Sequence, residues 1–99
     1  MKTLTNLCLN KMATAYKNSL SHVLYKLNGA EAQTYFQRIE LNENTVISYI
    51  VFGDSSLGAI SDIRVIDKDG DIVAEDPKIY EKTVEKALYV VFKHEFTEL

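Results

Sequence analysis

The sequence predicts an α+β fold, an antiparallel four-stranded meander with an N-terminal and a C-terminal helix packed on one face (α-β-β-β-β-α). Two observations carry that expectation. The two ends of the chain show apolar residues at helical spacing, and the middle holds four β-branched or aromatic runs bounded by turn residues. With 99 residues and 46 % apolar side chains, residues 1–99 are expected to form a single α+β domain with one core.

The first helix is read from Leu9, Met12, Tyr16, Leu20, Val23 and Leu27, spaced 3, 4, 4, 3 and 4. Thr3, Thr5 or Asn6 can supply its N-cap, Gly29 a left-handed C-cap, and Lys26 a cation in its last turn. The first strand runs from Tyr35 to Leu41, with Tyr35, Ile39 and Leu41 on one face. Asn42-Glu43-Asn44 forms a turn. Val46 to Phe52 is apolar on both faces and therefore reads as a central strand. After the loop Gly53 to Gly58 comes a strand from Ile60 to Ile66, then the turn Asp67-Lys68-Asp69-Gly70, then a strand from Asp71 to Ala74 returning antiparallel. Asp76 and Pro77 suit the N-cap and first position of a second helix, with Val84, Ala87, Leu88, Val91 and Phe92 as its buried stripe.

Charge is divided along the chain. The first 30 residues hold Lys2, Lys11, Lys17 and Lys26 and no acid, while all 14 acids follow from Glu31 onward. One stripe of the first helix, Lys11, Asn18, His22 and Tyr25, is spaced 7, 4 and 3 and lies opposite the core stripe. With Lys17 and Lys26 it forms a candidate binding surface for an acidic partner or a polyanion. A second candidate surface is the open sheet face. Either Ile47, Tyr49 and Val51 or Val46, Ile50 and Phe52 would remain uncovered, and the interface set is Ile47, Tyr49, Ile50 and Val51.

Other motifs reduce to structural readings. Asp67-Lys68-Asp69-Gly70-Asp71 matches the opening of a calcium loop. The loop then has Ile72 where Gly is required and Lys78 where the closing Glu belongs, so a hairpin turn is expected and no metal site. His22 and His94 lack ligand partners at metal spacing, and the single Cys8 cannot form an internal disulfide. Asp62 and Arg64 share a strand face as an exposed ion pair. No nucleophile elbow or phosphate loop is present, so neither a catalytic constellation nor a cofactor is expected.

The segment Leu4 to Leu9 is too short and too interrupted for a signal peptide, and no run spans a bilayer. A cytoplasmic protein without membrane contact is expected. The helix–sheet–helix outline resembles the double-stranded-RNA-binding domain. That domain carries a basic cluster where this chain reads Asp76-Pro77-Lys78-Ile79-Tyr80-Glu81, and the outline here has one strand more. The functional expectation is a small non-enzymatic protein–protein interaction module, a homodimeric regulatory or inhibitory adaptor, alone or with another protein partner. The alternative is nucleic-acid binding through the acid-free first helix, with Lys11, Lys17 and Lys26 on phosphates and His22 and Tyr25 on bases.

Overall fold

In a computed structural model that describes residues 4–53 and 56–97, the chain forms one helix and eight strands. They run α1 (Asn6–Ser19), β1 (Leu20–Leu27), β2 (Ala30–Thr34), β3 (Arg38–Asn42), β4 (Thr45–Phe52), β5 (Gly58–Asp67), β6 (Ile72–Asp76), β7 (Tyr80–Lys82) and β8 (Leu88–Glu95). The expected α-β-β-β-β-α meander is therefore incorrect: the protein is mostly strand, in two antiparallel sheets. One sheet has the order β2-β1-β5-β6, with β7 paired to the same side of β5 as β6; the other has the order β3-β4-β8.

The first correction is the length of α1. Thr5 caps it, its hydroxyl accepting the Cys8 N–H at 3.1 Å; Thr3 lies outside the described residues. The helix stops at Ser19 after fourteen residues. Beyond it, Leu20, Ser21, His22, Val23 and Tyr25 include few good helix formers, and Val23 and Tyr25 favour a pleated surface. As β1 this segment gains a hydrogen-bonding partner on each side, β2 and β5. Val23 and Tyr25 then point inward by strand alternation. Asn28 and Gly29, with φ of 52° and 87°, form a two-residue hairpin turn and not a helix end. Within α1 the buried positions are Leu9 and Ala13, whereas Met12 is 46 % exposed.

The second correction removes the C-terminal helix. Leu88–Glu95 reads Leu-Tyr-Val-Val-Phe-Lys-His-Glu, and its Leu88, Val90 and Phe92 face inward as alternate strand positions. Val84 and Ala87, assigned to the helical stripe, are exposed. Asp76 does cap locally: its Oδ1 accepts the Lys78 N–H at 3.0 Å, but β7 follows within four residues. The aromatic and β-branched run 88–92 pairs with β4 along its whole length, a set of bonds that a separate helix could not supply to β4.

The four central strand expectations survive in position. β3, β4, β5 and β6 cover most of the predicted segments, β4 is central in its sheet, and β5 and β6 are antiparallel. The meander fails between β4 and β5, which belong to different sheets. The core lies between the sheets, where Val23, Tyr25, Ile60, Ile63 and Val65 meet Ile50, Phe52, Val90 and Phe92. Tyr25 packs edge-on against Phe52 with centroids 4.8 Å apart. Helix α1 contacts β3 and β4, and its Tyr16 lies against His94 and Phe96.

Candidate functional site

The uncovered side of β3-β4-β8 is built by strict alternation. On β4, Val46, Ser48, Ile50 and Phe52 are buried, and Thr45, Ile47, Tyr49 and Val51 face outward. Ile50, expected at the interface, is fully buried in the core; period-2 geometry cannot place it beside Tyr49 on one face. The register sets Tyr49 between Arg38 and Val91, Ile47 between Glu40 and Lys93, and Val51 beside Tyr89. Ile47, Tyr49, Val51, Tyr89 and Val91 thus share one face, with Tyr89 62 % and Val91 51 % exposed.

Charges border this face. Arg38 lies 3.3 Å from Glu40 and sits over the Tyr49 ring at 4.3 Å. The Tyr49 hydroxyl donates to Glu40 Oε2 at 3.2 Å. Tyr89 and Val91 were absent from the sequence-based interface set because their segment was read as helix. The alternation Leu88, Val90, Phe92 against Tyr89, Val91, Lys93 was the signal that could have found them.

The basic stripe is dispersed. Its 7-4-3 spacing requires a helix past Ser19, and none exists there. Lys11 and Asn18 are exposed and Lys17 is half-buried, all on α1. His22 lies on β1 with its Nδ1 hydrogen-bonded to Ser21 Oγ at 2.9 Å. Tyr25 is buried and shares a 3.2 Å hydrogen bond with Ser56, so its ring is not available for stacking on a ligand. Lys26 pairs with Asp62 at 3.2 Å.

Lys26 borders a charged cleft of about 180 Å³ on the outer side of the other sheet, together with Glu31, Asp62, Arg64, Glu75 and Asp76. Arg64 forks onto both oxygens of Glu31 at 2.8 Å, and its Nε donates to the Asp62 carbonyl at 3.0 Å. Asp62 and Arg64 therefore do not pair through their side chains. Asp62 has φ of 50° where β5 carries an extra residue opposite Tyr25. Each cation here is matched to a carboxylate, an arrangement worth about 0 to 1 kcal/mol per exposed pair. His94 and Glu95 belong to the opposite sheet.

The Asp67–Asp71 segment is the hairpin turn expected. The Gly70 N–H donates to the Asp67 carbonyl at 3.1 Å, and Gly70 has φ of 86°. Asp67, Asp69 and Asp71 each bring one carboxylate oxygen within 4.8 Å of the others. Asp67 Oδ1 already accepts the N–H groups of Asp69 and Asp71 at 3.0 and 2.9 Å. Among the described residues, no helix is long and apolar enough to cross a membrane. No protein-family model, curated protein or solved structure matches this chain, so a functional reading rests on the chemistry of its own surfaces.

Proposed function

We propose that this protein is a non-enzymatic protein–protein interaction module that self-associates through its three-stranded sheet. The observation that carries the reading is the contiguous row of Ile47, Tyr49, Val51, Tyr89 and Val91 on the outer face of β3-β4-β8. Scattered apolar residues need no explanation, but five neighbours on one sheet face form the kind of patch that interfaces use. Tyrosine with an adjacent arginine is also a composition enriched at such surfaces. A two-fold homodimer is the simplest assembly, because one self-complementary patch suffices.

Sedimentation velocity over a micromolar concentration series tests the reading. A concentration-dependent dimer that is lost on Tyr89→Lys with Val91→Lys supports it. A monomer throughout the series overturns it, and so does a dimer indifferent to those two substitutions.

A further inference from the structure

Among the described residues, the strand β8 has a partner, β4, on one side only. Its eight residues contain no glycine, proline or positive φ, and its pairing with β4 has no register shift. The other edge strands are shorter: β2, β3 and β6 have five residues each, β6 ends just before Pro77, and β7 has three. Short edges, proline and charged side chains are devices that hinder strand pairing between molecules; β8 lacks the first two, and its charges are Lys93 and Glu95 near one end.

The direction of its free backbone groups follows from the register. The Phe96 N–H donates to the Asn44 carbonyl at 2.9 Å, one step beyond β8 in the same alignment. Antiparallel pairs alternate between bonded and non-bonded. His94, Phe92 and Val90 are then bonded to Val46, Ser48 and Ile50, and the N–H and C=O of Tyr89, Val91, Lys93 and Glu95 point away from β4. The Gln37 N–H reaching the Tyr49 carbonyl at 2.8 Å agrees, since it shows Tyr49 directing its backbone toward β3 and not toward Val91.

We infer that a second copy of this chain pairs with β8 edge to edge, antiparallel about a two-fold axis at Val91, making one continuous six-stranded sheet. This rests on the proposed self-association and narrows its surface: Tyr89 and Val91 of the exposed row lie at the seam, while Ile47, Tyr49 and Val51, one strand away on β4, stay outside it. Charge and strand length together select the register. A two-fold pairing must set outward residues against outward residues, so the axis passes through a residue. Centred on Val91, it sets Tyr89 against the partner's Lys93 and Lys93 against the partner's Tyr89. Centred on Lys93, it would oppose two ammonium groups; centred on Phe92, it would leave them diagonal neighbours; centred on Val90 or Tyr89, it would carry Lys93 past the partner strand's start at Leu88 and shorten the pairing. A cation over a tyrosine ring is the pairing that Arg38 and Tyr49 already make across the adjacent strands of this face. In this register Tyr89, Val91 and Lys93 of each copy supply one donor and one acceptor apiece, and Glu95 lies beyond the paired segment. Edge pairing of this extent belongs to the small interfaces, so the dimer dissociates on dilution.

Amide hydrogen exchange by NMR on the unmodified protein tests the geometry, with Val91→Pro and Tyr49→Lys as companions in sedimentation. In the dimer, the amides of Tyr89, Val91 and Lys93 should exchange roughly tenfold or more slowly than on dilution to monomer, approaching Val90 and Phe92. Val91→Pro removes only an outward N–H and should abolish the dimer, whereas Tyr49→Lys should leave it. A dimer whose Tyr89, Val91 and Lys93 amides stay fast, and which is broken by Tyr49→Lys instead, associates face to face: the edge geometry then fails and the self-association stands. A monomer at every concentration overturns both.

Discussion

The carboxamide of Asn28 occupies the space that a side chain on Gly58 would fill. Asn28 closes the β1–β2 hairpin, and Gly58 opens β5 at φ of 115°. The Asn28 Oδ1 accepts the Ala59 N–H at 2.9 Å, its Nδ2 donates to the Leu57 carbonyl at 3.3 Å, and its own N–H donates to the Ala59 carbonyl at 2.8 Å. A turn residue from one hairpin thereby fixes the start of the central strand of the larger sheet.

Gly58→Ala is expected to destabilise the fold by about 2 kcal/mol or more, because it combines a strained φ with a collision against Asn28. Asn28→Gly keeps the turn and removes the side-chain bonds, at a cost of about 1 to 2 kcal/mol. Urea denaturation of both variants and of the double mutant measures the coupling. The pair should cost less than the sum of the single changes, since the collision is absent once Asn28 is gone.

Glu43 sits in the β3–β4 turn at φ of 56°, a conformation costly for a residue with a side chain. Its carbonyl accepts the Asn10 Nδ2–H at 2.6 Å, a bond independent of its carboxylate. Glu43→Gly should raise stability by about 0.5 kcal/mol, the relieved strain exceeding the added chain entropy. A lowered midpoint in thermal unfolding would show that the carboxylate contributes something beyond the turn.

His94 points inward from β8 under α1, and its Nε2 is buried with no hydrogen-bond partner. An unpaired buried polar atom costs about 1 to 3 kcal/mol. His94→Phe keeps the ring contacts with Tyr16 and Phe92 and should stabilise the protein by about 1 kcal/mol in chemical denaturation. A loss of stability would mean that the imidazole is satisfied in solution.

The Tyr80 hydroxyl donates to Asp76 Oδ2 at 2.6 Å, and that bond to a carboxylate, with burial and the carboxylate's charge, holds the phenol protonated up to about 12. Burial also raises Tyr16. A folded-state value above that of the unfolded chain contributes stability that is complete below pH 10 and lost as pH rises through about 12. Absorbance titration should find Tyr80 among the last of the six tyrosines to ionise, and Tyr80→Phe should flatten the decline in stability across that window.

Salt separates apolar from ionic self-association. The sheet-mediated dimer should persist or tighten at about 1 M salt, where charges are screened beyond about 3 Å. Assembly between the lysines of α1 and the acidic remainder would weaken instead, and dissociation at high salt with tolerance of Val91→Lys would redirect attention to Lys11 and Lys17.

Elements with unambiguous local signals are legible from the residues alone. Thr5 caps a helix and Asp67-Lys68-Asp69-Gly70 makes a hairpin through contacts within a few residues, and Val46 to Phe52 announces a central strand because its composition is apolar on both faces. Asn28-Gly29 is equally local as a hairpin turn, but the apolar spacing of Leu20, Val23 and Leu27 is helical; Leu20 and Val23 both reach the core from a strand only because β1 is irregular between Leu20 and His22. Only tertiary structure decided between them, since β1 exists through its hydrogen bonds to β2 and β5 and β8 through those to β4. The same dependence governed the site. Which face of β4 lay open required knowing that the other sheet covers Ile50 and Phe52, and Tyr89 and Val91 joined Tyr49 only when a segment some forty residues away in sequence paired alongside it. Non-local pairing places such residues together, and no periodicity within one segment encodes its partner.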